Sequence, residues 1–157
     1  MKKILISSCL VGLNTRYNGK NKRNDQLAEL AKSGHVVFVC PEQLGGLPTP
    51  REPSEIEPGK TAKDVLEGKA KVLTPSGAEQ TKEIILGAQK TLQLCQEFGV
   101  EIAILKAKSP SCASAGMYDG TFTGEQVPGS GVVAELLKEN GITVYTEDNY
   151  PKELLEI

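Results

Sequence analysis

Short apolar runs alternate along this chain with longer segments in which apolar residues recur every three or four positions. Lys3 to Ser7 carries Ile4, Leu5 and Ile6 in succession and opens onto a polar loop, the pattern of a strand covered on both faces in a parallel sheet. Asp25 to Ser33 sets Leu27, Leu30 and Ala31 at helical spacing before Gly34, and a second strand follows over His35 to Val39. Ala78 to Phe98 places Ile85, Ala88, Leu92 and Cys95 on one helix face, with Gly99 as its stop. Glu101 to Lys106 reads as a third strand, Ser130 to Asn140 as a helix and Ile142 to Tyr145 as a fourth strand.

Two segments fit this alternation less well. Pro41 to Pro58 holds five prolines and several glycines, which excludes a regular helix or a central strand and predicts a long structured loop. Residues 61 to 74 suit short strands or a hairpin through Val65-Leu66 and Ala70 to Leu73. Strands alternating with helices predict an α/β fold: one Rossmann-like domain over 1–157, with a mainly parallel sheet of four to five strands flanked by helices. Ligands of such sheets sit beyond the carboxyl ends of the strands.

Composition narrows the functional classes. A net charge of -2 removes the whole-surface attraction of a dedicated nucleic-acid binder. No apolar run approaches the ~20 residues of a membrane span, and the Lys2-Lys3 start is followed by too short an apolar run for a signal peptide, so a cytoplasmic setting is expected. Four cysteines in such a setting are poorly explained by disulfides.

Three of them gather by topology. Cys9 follows the first strand, Cys40 ends the second and Cys112 lies just past the third, so all fall at the carboxyl edge of the predicted sheet. Soft thiolates suit zinc, copper(I) or iron–sulfur clusters, and neither a nearby fourth cysteine nor a local histidine closes a tetrahedral zinc site. An open metal position would be a Lewis acid. Small buried hydrophobes and a lone catalytic thiol at Cys112 are the other two readings of these cysteines, and no CxxC spacing decides among the three. Cys95, on the apolar helix face, reads as core.

The surroundings add chemistry. Glu42 stands two residues after Cys40 as a candidate acid or base, and Arg51 at the far end of the same loop suits an anion. Ser109 and Ser111 precede Cys112 beside Lys106 and Lys108, a setting expected to lower its thiol pKa. Gly129-Ser130-Gly131 opens a helix whose N–H groups suit an anion, with Ser130 as N-cap the plainer reading. Arg16, Lys20, Lys22 and Arg23 form a basic loop suited to a phosphate. His35, the single histidine, starts a strand at the opposite edge, which weighs against a Ser-His or Cys-His mechanism.

Together, Ser8-Cys9-Leu10-Val11-Gly12, Arg16-Tyr17-Asn18-Gly19, Cys40-Pro41-Glu42 with Gly45-Gly46-Leu47-Pro48, Ser109-Pro110-Ser111-Cys112 and Tyr118-Asp119-Gly120-Thr121-Phe122 resemble the thiouracil desulfurase (desulfidase) family over nearly the whole chain. The resemblance implies a [4Fe-4S] cluster on Cys9, Cys40 and Cys112 with one open iron and catalytic roles for Glu42 and Ser109; Arg16, Tyr17, Arg51 and Ser111 are expected to contact the substrate. It implies a small thiolated base or nucleoside as substrate, with nucleic acid entering only as a modified RNA fragment, and no membrane partner. A protein that merely holds a cluster, sulfide or an anion is the alternative, as is a metal-free thiol enzyme using Cys112. The chain departs from the family pattern at Thr15, Asn18 and Ala113, where cysteine, aspartate and glycine respectively are common; the three presumed ligands are intact, so the departures bear on substrate preference and not on cluster binding.

Overall fold

The computed structural model describes residues 2–112 and 116–156; Ala113, one of the departures noted above, lies outside them. The central sheet has four parallel strands: β1 (Lys3–Ser7), β2 (Val36–Val39), β5 (Val100–Leu105) and β8 (Thr143–Thr146), in the order β2-β1-β5-β8. Register pairs Ser7 with Val39, Ile6 with Ile104, and Leu105 with Thr146, which aligns the carboxyl ends of all four. The four strands foreseen in the sequence are these, within a residue or two at each end.

Alternation along the two central strands divides the core. Leu5, Ala103 and Leu105 face one side and pack with residues of α3 (Ala62–Leu66), α4 (Thr81–Phe98) and α5 (Val132–Glu139). Ile4, Ile6 and Ile104 face the other, against Leu27 and Leu30 of α1 (Asp25–Ala31) and Tyr150. Both faces of the central strands are therefore apolar and covered, which explains why their sequences run rather than alternate, while Phe38 on the edge strand β2 is exposed. Among the described residues no helix is long and apolar enough to cross a membrane.

Four expectations change. Pro41 does not forbid helix: it begins the single turn α2 (Pro41–Leu44), where a proline at the first helical position loses no hydrogen bond. The 61–74 segment is not a hairpin. It forms α3, opened by a reciprocal Thr61–Asp64 capping box, and then β4 (Val72–Leu73), which pairs antiparallel with β3 (Glu55–Ile56). The buried face of α4 runs through Ile84, Gly87, Ala88, Thr91 and Cys95, with Ile85 and Leu92 at its margin. Ser130 is not the cap of α5; Gly131 is, and it makes no side-chain cap bond. Within the loop foreseen before Pro128, β6 (Met117–Tyr118) and β7 (Gln126–Val127) form a small antiparallel pair.

Two glycines fix where α2 sits. A Cβ on Gly45 would lie 1.9 Å from the Glu83 carbonyl oxygen, and one on Gly87 would lie 2.0 Å from that of Pro41. The backbones of α2 and α4 thus touch, and only glycine permits it. Because α2 begins directly after Cys40 and contains Glu42, this contact sets the position of both.

Candidate functional site

The loops leaving β1, β2 and β5 enclose a cavity of about 330 Å³. Cys9, Cys40 and Cys112 all line it, together with Glu42, Ser109, Ser111, Arg16, Tyr17 and Arg51. These nine candidate residues therefore meet in one place, at the sheet edge where the strands end, whereas Lys20, Arg23 and the Gly129–Gly131 segment do not line it. Cys9 sits in a 3₁₀ turn (Ser8–Val11) whose carbonyls bind the returning loop: Cys9 O accepts from Lys22 N at 3.0 Å and Ser8 O from Leu13 N at 3.2 Å.

Cys112 is held by an exchange between its loop and a helix start. The N–H groups of Val132, Val133 and Ala134 donate to the carbonyls of Pro110 (2.8 Å) and Ser111 (2.7 and 3.3 Å). The first turn of α5 thus carries its own chain's carbonyls, and the anion site expected there does not exist in that form. A Cβ on Gly131 would lie 2.5 Å from the Ser111 carbonyl carbon, so this contact also requires glycine.

Glu42 and Arg51 form a buried pair, with side chains 13% and 4% exposed and Arg51 Nε donating to Oε1 at 2.9 Å. Arg51 Nη1 donates to Pro48 O (3.2 Å) and Thr49 Oγ1 (2.9 Å), and Nη2 to Thr15 O (3.1 Å) and Cys40 Sγ (3.6 Å). A guanidinium has five N–H donors, and all five are directed at protein atoms. Arg51 therefore braces Glu42 and Cys40 while also lining the cavity.

The second carboxylate oxygen of Glu42 accepts from Ser111 Oγ at 3.0 Å and Ser109 Oγ at 3.4 Å, and the two hydroxyls lie 2.9 Å apart. Ser109 Oγ also accepts from the N–H groups of Ser111 and Cys112, both at 3.2 Å. A continuous hydrogen-bonded path thus runs from carboxylate to hydroxyls beside a candidate ligand.

Burial pushes the Cys112 thiol up to about 12, against the opposing effect of hydroxyls from Ser7 (3.6 Å) and Ser111 (3.7 Å). The expected lowering by lysines is not met at Cys112, where burial outweighs every opposing effect; Lys106 lines the cavity but pairs with Glu147 at 3.1 Å and donates to Ala107 O. Burial likewise raises Cys9 to about 11, partly offset by the Lys106 charge. Protonated thiols of this kind are poor free nucleophiles, which weighs against the metal-free thiol enzyme.

All four cysteines are free thiols, and Cys95 is in the core, away from the cavity. Among the described residues no three His, Cys, Asp or Glu side chains are arranged around a single metal ion. A lone zinc would draw its sulfurs to about 2.3 Å from one point, whereas a cluster gives each thiolate its own iron. Soft thiolates from three strand ends are the donor type that an iron–sulfur cluster takes.

The basic loop divides. Arg16 and Lys22 reach the cavity, with Arg16 5.5 Å from the Tyr17 ring, while Arg23 pairs with Asp25 at 3.0 Å. His35 lies at the far edge, its carbonyl accepting from Ile4 N. Ser7, Ser54, Glu55 and Glu147 escaped the sequence reading. Glu147 alone left a signal, an acid directly after the last strand at the active edge; its carboxylate takes Ala107 N at 2.7 Å as well as Lys106.

A family model described as 2-thiouracil desulfurase matches residues 4–149. The chain is similar to the uncharacterized protein YbbK of Bacillus subtilis (strain 168), with 47% identity over 145 residues, 92% of this chain and 95% of that one. Among solved structures it is similar to the [4Fe-4S]-dependent thiouracil desulfidase TudS, with a TM-score of 0.86, 39% identity, and coverage of 99% of this chain and 97% of the other.

Proposed function

This chain belongs to the 2-thiouracil desulfurase family, and from that premise we propose that residues 1–157 act as one unit catalysing iron–sulfur-dependent, non-redox desulfuration of a small thiolated pyrimidine. The balance is hydrolytic: water replaces sulfur on the ring carbon, a C=S bond becomes C=O, and hydrogen sulfide is released. Cys9, Cys40 and Cys112 would hold a [4Fe-4S] cluster whose remaining iron supplies an electrophile for sulfur.

The chain's own residues do the rest. Arg51 holds one oxygen of Glu42 and so turns the other toward Ser109 and Ser111. Glu42 accepts a proton from the attacking water, and Ser109, with backbone N–H groups donating to its oxygen, orients the ring or passes the proton on. Arg16 and Tyr17 line the same cavity and meet the incoming base. Unpaired cysteines throughout accord with a reducing, cytoplasmic setting.

The observation that carries this reading is the meeting of three thiols from three strand ends with one carboxylate–hydroxyl path in a single cavity. It is tested by sulfide and uracil release from 2-thiouracil. Glu42→Gln and Ser109→Ala should each lower kcat/KM by about 10²-fold or more while iron content stays at the wild-type level. Undiminished turnover in Glu42→Gln would remove Glu42 from the mechanism.

A further inference from the structure

Two buried side-chain oxygens have no hydrogen-bond partner among the described residues: Oε1 of Gln80 and Oγ of Ser54. Gln80 is remote from the cavity, but Ser54, only 5% exposed, lines it. A buried hydroxyl without a partner forfeits free energy, so a position that retains one needs an explanation in strain or in function.

The backbone around Ser54 is anchored on both sides. Upstream, Arg51 N donates to Tyr17 O at 2.7 Å and its side chain is fixed as described above. Downstream, Glu55 and Ile56 pair with β4, and Glu55 Oε1 accepts from the N–H groups of Gly120 (2.9 Å) and Phe122 (3.3 Å). Ser54 is thus held in place while its hydroxyl lacks a partner among the described residues. Ser54 borders the cavity, where a bound ligand can supply the missing partner.

The chemistry of the proposed substrate matches. Besides its thiocarbonyl, a thiolated pyrimidine presents ring N–H donors and a second carbonyl acceptor. A serine hydroxyl donates and accepts, so it can pair with either group. Resting on the desulfurase reading above, we propose that Ser54 is a specificity-determining residue whose hydroxyl binds the polar edge of the pyrimidine ring. A site that buries such a hydroxyl for a ligand accepts lower stability when empty and rejects ligands that cannot pair with it.

The signature is a loss of binding together with no loss of stability. Ser54→Ala, prepared with iron and sulfide beside wild type, should raise KM for 2-thiouracil about 5- to 10-fold with kcat within about twofold, and weaken Kd for uracil by the same factor in calorimetry. Iron content should match wild type and the thermal midpoint should equal or exceed it, because alanine removes the unpaired hydroxyl. An unchanged KM and uracil Kd, or a midpoint below wild type, would overturn the assignment of Ser54 while leaving the desulfurase reading intact. No turnover of 2-thiouracil by iron-replete wild type would overturn that reading and this inference with it.

Discussion

Arg51 shows how much one side chain can fix. Its five donors join the α2 carboxylate, the Pro48–Thr49 turn, the Thr15 carbonyl and a candidate ligand sulfur. Truncation would leave Glu42 buried and unpaired, so Arg51→Ala should lower unfolding free energy by about 3 kcal/mol in urea titrations, well beyond the loss of a surface ion pair. Cys95 offers the opposite case. It fills the core face of α4, and Cys95→Ala should cost about 1 kcal/mol while leaving iron content at the wild-type level. Residue types at the strand ends were legible from sequence because chemistry-bearing side chains are conspicuous there. The pairing of Arg51 and Lys106 was not, because each found its partner, Glu42 or Glu147, through tertiary approach that spacing along the chain does not encode.

At the scale of elements, the strands and the helices over 25–31 and 81–98 were readable because their apolar periodicity is dictated by the faces they bury. The capping box at Thr61 and Asp64 was the legible but unread signal for α3. Thr61→Ala should cost about 1 kcal/mol and leave desulfuration unchanged, since α3 touches the site nowhere directly. The α2–α4 crossing is more demanding. Gly87→Ala pushes a methyl into the Pro41 carbonyl, and α2 cannot retreat without carrying Cys40 and Glu42 with it. That variant should lose about 2–3 kcal/mol of stability and also fall well short of wild-type iron uptake, whereas Thr61→Ala should take up iron normally. Equal iron uptake in both would show that the crossing does not position the site.

For the whole molecule, the parallel sheet converts residues some hundred positions apart into neighbours by aligning Ser7, Val39 and Leu105 at one edge. Burial there has a thermodynamic consequence in the metal-free protein. Cys9 and Cys95 are raised from 9.0 to about 11 and Cys112 to about 12. Above pH 9 the unfolded chain therefore gives up thiol protons that the folded one keeps. Stability is full below that pH and declines as pH rises toward 11, the direction set by fewer protons bound in the unfolded state. Urea midpoints of metal-free protein at pH 8 and pH 10 should differ accordingly, with the larger at pH 8.

The central claim is that Cys9, Cys40 and Cys112, and not Cys95, hold one cluster. It is tested most directly by anaerobic reconstitution with iron and sulfide and by counting iron per chain in wild type and the four single alanine variants. The account predicts about four irons in wild type and Cys95→Ala, and sharp loss in each of the other three. A full cluster in Cys112→Ala, or its loss in Cys95→Ala, would contradict it.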